Sequence, residues 1–79
     1  MTYDELTKIY ERAKKIIASS LAWEAKYDLI FSKEISQKVR FDWCDPDMDY
    51  EDDVRAFMSA FDEYMGVQKV IENEINNPN

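Results

Sequence analysis

The chain is 79 residues long, 46% hydrophobic, 34% charged and 14% aromatic, with a formal net charge of −7, one Gly, two Pro, one Cys and no His. This allows one small domain, excludes a disordered tail, which would lack the apolar surface to offset its ordering entropy, and argues against a strand-rich fold, whose tight turns need more than one glycine. Histidine-based acid–base chemistry, histidine-ligated metal and an internal disulfide are excluded, and the lone Cys44 fits a reducing compartment.

Met1-Thr2-Tyr3-Asp4-Glu5 carries acids rather than the basic n-region of a secretory leader, and no apolar run approaches the ~20 residues of a membrane span. Thr2 and Glu5 stand at capping-box spacing and predict a helix start near Tyr3. Leu6, Ile9, Tyr10, Ala13, Ile16 and Ile17 then recur at three-four spacing. Trp23, Tyr27, Ile30, Phe31, Ile35 and Val39 continue that stripe with a slow drift. Phase continuity favours one continuous or bent helix over about 3–40, which is the leading expectation. Ser19-Ser20 offers a break, and ordinary helix lengths favour one; three shorter helices would result. A long hairpin would leave much of each stripe open, to be buried by pairing two copies as a four-helix bundle, whereas three helices close a core within one chain.

Phe41-Asp42-Trp43-Cys44-Asp45-Pro46-Asp47-Met48 is expected to form an acidic connection over 41–48. Pro46 suits a first helical position with Asp45 as N-cap, and the acids that follow sit where the positive end of a helix dipole favours them. A second long helix over about 49–75 places Tyr50, Val54, Phe57, Met58, Phe61, Tyr64, Met65, Ile71 and Ile75 on one face. Gly66 interrupts it at a cost of about 1 kcal/mol relative to Ala. Asn76-Asn77-Pro78-Asn79 forms a terminating tail. The expected fold class is therefore all-α, a small helical bundle in a single domain over 1–79.

Charge is distributed unevenly along this framework. Residues 1–41 carry eight bases and six acids, whereas residues 42–65 carry nine acids against Arg55 alone, a net of −8. Seven of those acids fall in the twelve positions from Asp42 to Asp53. Such a field repels nucleic-acid backbones and attracts basic surfaces. Helix capping needs one or two acids, so a run of seven is assigned partly to protein recognition. Asp45, Asp47 and Asp49 have the alternation of a calcium loop, but Tyr50 stands where that loop needs Gly and Ala56 where it needs a bidentate Glu, so no metal is expected. Trp43 and Tyr50, set among the acids, are candidate anchors, since such rings dominate interface energetics; the alternative for Phe41 and Trp43 is to close the end of the bundle.

Lys8, Lys15, Lys26, Lys33 and Arg40, flanked by Arg12, would line the opposite side of a continuous first helix, as a solvent-exposed ridge. Glu24 and Asp28 would sit at the edge of its apolar stripe, but no nucleophile or base accompanies them, so no enzyme is expected. Met48, Met58 and Met65 are assigned to core packing.

In size, in the acid run Asp42–Asp53 with Asp62 and Glu63, and in the lack of catalytic equipment, the chain resembles the small acidic inhibitors of phages and mobile elements, of the anti-CRISPR and anti-restriction type. The resemblance is one of type. It implies a non-enzymatic protein without cofactor, acting in the cytoplasm (of the host, if phage-encoded), whose carboxylates compete for a basic, nucleic-acid-binding protein. The basic ridge distinguishes this chain from a uniformly acidic DNA mimic and favours a polarised contact. The expected partner-binding residues are Asp42, Trp43, Asp45, Asp47, Asp49, Tyr50, Glu51, Asp52, Asp53, Asp62 and Glu63, with no direct nucleic-acid or membrane contact. The alternative expectation is a self-assembling module, a homodimer or larger, in which the acid run of one copy docks on the basic ridge of another.

Overall fold

The computed structural model describes residues 2–39 and 49–76, with side chains through Glu74. Among the described residues are three helices, α1 (Tyr3–Ala18), α2 (Trp23–Ile30) and α3 (Tyr50–Asn76), and no strand, so the all-α expectation holds. The connection 41–48 and the end of the tail lie outside the described residues.

Thr2 begins α1 as its spacing predicts: its hydroxyl accepts the Glu5 N–H at 3.2 Å, and Asp4 and Glu5 occupy the first turn at the positive end of the dipole. The helix does not continue to residue 40. It ends at Ala18 because Ser19 turns back on it, with both the amide (3.2 Å) and the hydroxyl (2.6 Å) of Ser19 donating to the Ile16 carbonyl. A serine hydroxyl that satisfies a local carbonyl in this way competes with the helical ladder. Ser19 and Ala22 are both extended, and α2 starts at Trp23 without a side-chain cap.

Lys26 secures the break. It was expected on a solvent ridge, yet it is only 5% exposed and donates from Nζ to the Ile17 carbonyl at 2.6 Å. That carbonyl belongs to the last turn of α1, whose acceptors lack intrahelical donors and carry the negative end of the dipole. The same ammonium lies 4.1 Å from the centroid of the Trp23 ring. The break therefore rotates α2 so that a residue from the outer side of a hypothetical long helix faces inward.

α2 stops at Ile30, again through a serine. The Ser32 hydroxyl donates to the Leu29 carbonyl (2.7 Å) and accepts from the Glu34 amide (3.3 Å), while its own carbonyl receives the Gln37 amide (3.1 Å). The resulting turn over 32–38 still buries Ile35 and Val39. The apolar positions were legible in the sequence; the backbone that carries them was not.

α3 is the spine of the molecule. Its 27 residues span about 40 Å at 1.5 Å per residue, against a long dimension of 46 Å. α2 packs most heavily on it, and α1 runs antiparallel to it, with Thr2, Tyr3 and Leu6 beside Tyr64 and Gln68, and Ile17 and Ala18 beside Met58 and Asp62. The core joins Leu6, Ala13, Ile30, Ile35 and Val39 to Val54, Phe57, Met58, Phe61 and Met65. A chain of aromatic contacts threads all three helices: Tyr50–Tyr27 (5.1 Å between centroids), Tyr27–Phe31 (4.6 Å), Phe31–Phe57 (5.3 Å), Phe57–Phe61 (5.8 Å) and Phe61–Tyr10 (5.1 Å). Most of these pairs meet near edge-to-face, the arrangement that ring quadrupoles favour.

Candidate functional site

Of the expected partner-binding residues, Asp42, Trp43, Asp45 and Asp47 lie outside the described residues. The others divide by the part each plays in starting or bracing α3. Asp49, rather than Asp45, is the N-cap: its Oδ1 accepts the Asp52 amide at 2.8 Å and its carbonyl accepts the Asp53 amide at 3.0 Å. Pro46 therefore precedes the helix by more than the sequence pattern predicts. Glu51, Asp52 and Asp53 fill the first turn, where the dipole offsets part of their mutual repulsion.

Glu51 pairs with Arg55 one turn later at 2.7 Å, and both side chains are solvent-exposed, so the pair adds at most about 1 kcal/mol. Arg55 also reaches across to α2, its guanidinium carbon lying 5.0 Å from the Trp23 ring centroid. Trp23 is thus flanked by two cations, Lys26 and Arg55. Asp53 faces the interior and is buried, so it does not offer a carboxylate to a partner. Tyr50 is 46% exposed and rests against Tyr27, which leaves one side of its ring open beside the acids.

Asp62 and Glu63 are both exposed on the next turns of α3. The Tyr10 hydroxyl donates to Asp62 Oδ1, tying α1 to α3. This bond, with burial and the nearby Asp62 and Glu11 charges, raises the Tyr10 pKa from 10.0 to about 12. The protonated phenol is the bonded form. Unfolded tyrosine titrates near 10, so this contribution is complete below pH 10 and is lost as pH rises toward 12. Tyr10→Phe is expected to cost about 0.5–1 kcal/mol at pH 7, the low value reflecting solvent screening of an accessible pair. The variant should also lose less stability than the parent between pH 10 and 12, as measured by urea unfolding at each pH.

Sequence reasoning missed the clustering of Trp23, Lys26 and Arg55. Its one signal was Lys26 three residues after Trp23, a helical neighbour spacing. The basic ridge is correspondingly interrupted: Lys26 is buried, whereas Lys8, Arg12, Lys15 and Lys33 remain exposed and Arg40 lies outside the described residues. Glu24 and Asp28 are exposed rather than drawn into an apolar edge. Among the described residues no three acidic or thiol side chains converge as a metal site, and no helix is long and apolar enough to cross a membrane. Compared with family models, with curated proteins and with solved structures, the chain matches none.

Proposed function

We propose that the protein is a non-enzymatic regulator of inhibitor type that binds a basic protein surface, that of a nucleic-acid-binding effector, through the acidic start of α3 and the acids that precede it. The observation that carries this reading is the net charge of −8 over residues 42–65, where nine acids face a single base. Hydrogen bonds to Asp49 and Asp62 orient their carboxylates without neutralising them, and the Glu51–Arg55 pair is already counted in the sum. A basic channel built for phosphate bears the repulsion of its clustered lysines and arginines, and a fixed anionic surface relieves it competitively. Tyr50 supplies an exposed ring at the start of α3, among these acids in the sequence.

The test is a variant with Asp42, Asp45, Asp47 and Asp52 changed together to Lys. Asp49 and Asp53 are left in place because one caps α3 and the other is buried, so changing them would confuse folding with binding. The parent is expected to capture basic nucleic-acid-binding proteins from lysate at low salt, with affinity falling steeply as salt rises, and the variant to capture none of them. Binding that ignores salt and survives the fourfold change would reject the reading.

A further inference from the structure

The cover on α3 ends before the helix does. α1 reaches only as far as Tyr64 and Gln68, and beyond Gln68 the side chains up to Glu74 are exposed apart from a half-buried Glu72. Three large apolar side chains lie open here: Val67 at 56%, Val70 at 57% and Ile71 at 43% of full exposure. At about 100° per residue they occupy one sector about 100° wide on the side away from Phe61, and Glu63 and Glu74 fall within the same sector, one turn before and one turn after.

This half of α3 is poorly supported from within. Gly66 and three β-branched residues are weak helix formers, and nothing lies within 4 Å of the point a Gly66 side chain would occupy, so internal packing does not explain the glycine. The last turn contains no base to meet the negative end of the dipole, and Glu74 adds to it. Apolar exposure, weak propensity and adverse charge would all be relieved by one kind of occupant.

We propose that the face formed by Val67, Val70 and Ile71 between Glu63 and Glu74 is a docking surface for a cationic amphipathic helix of a partner protein. The partner's apolar stripe covers the three aliphatic side chains. Its lysines or arginines, spaced about 16 Å apart to match the rise over eleven residues, meet the two carboxylates. A second copy of this chain fits the charges badly. Parallel pairing sets Glu63 against Glu63 and Glu74 against Glu74, antiparallel pairing brings Glu63 close to Glu74, and each copy carries −7. The surface lies at the opposite end of α3 from Asp49 and does not depend on the acid run.

The test uses a fluorescent Leu/Lys amphipathic peptide about five helical turns long, titrated against the intact protein by anisotropy, with backbone amide shifts followed by NMR. The expected result is saturable binding with shifts concentrated at residues 63–74. Val67→Gln, Val70→Gln and Ile71→Gln together should weaken it at least about tenfold, without loss of helix by circular dichroism. A peptide with the same lysines but serine for leucine should bind as weakly as that variant. Shifts confined to residues 49–53, with the triple variant binding as the parent does, would overturn the proposal while leaving the acid-run reading intact. A parent that sediments as a dimer and a triple variant that sediments as a monomer would overturn it in favour of self-pairing.

Discussion

Phe61→Ala is expected to cost about 3–5 kcal/mol, a large share of the stability of a chain this size. Phe61 is fully buried and its ring meets Tyr10 of α1 at 5.1 Å and Phe57 at 5.8 Å. Truncation removes the transfer energy of a buried ring and leaves a cavity that the neighbours refill only in part. A domain of this size has a total stability of about 4–12 kcal/mol, so the loss removes from about a quarter to all of it. Phe61→Leu, which keeps most of the volume, should cost roughly a third as much. Urea unfolding followed by circular dichroism measures both; a loss below about 1 kcal/mol for the alanine variant would show that residue 61 does not sit at the junction of α1 and α3.

Lys26→Ala is expected to cost about 2–4 kcal/mol, an unusual penalty for a lysine. The change deletes a charge-assisted hydrogen bond to the Ile17 carbonyl, a cation over the Trp23 ring and a buried aliphatic stem. Lys26→Met separates these effects: it retains most of the stem and loses only the ammonium, so about half the penalty should remain. Equal, negligible losses for both variants would mean that the end of α1 is held by Ser19 alone. Amide exchange at Ser19, whose N–H donates to the Ile16 carbonyl at the end of α1, provides an independent reading, because a loosened break should exchange faster in either variant.

The two variants also mark what the sequence disclosed and what it hid. The Phe61 position follows from spacing alone, as do Thr2 as a cap and the buried faces of Val54, Phe57, Met58 and Met65, because an amphipathic helix has one stripe and needs to bury it. Lys26 does not follow. Its burial depends on a break whose cause is a hydroxyl folding back on Ile16, and after that break the phase of α2 owes nothing to α1. Ile35 and Val39 show the same limit from the other side: their apolarity predicted burial, while Ser32 decided that a turn rather than a helix would deliver it. At the acidic end, composition showed where charge would gather. It did not show that Asp49 would cap, that Asp53 would face inward, or that Asp62 would accept from a tyrosine 52 residues away in the chain.

That separation has a consequence for biosynthesis. α1 packs on α2 and α3 alike, and α2 packs most heavily on α3, which follows both in the chain, so the first two helices emerge with much of their apolar surface still uncovered. At about 5–20 residues per second, several seconds pass between the appearance of Tyr10 and that of Asp62. During that interval the nascent chain is a natural client for ribosome-associated chaperones, and its first two helices gain their main packing partner only once α3 has emerged.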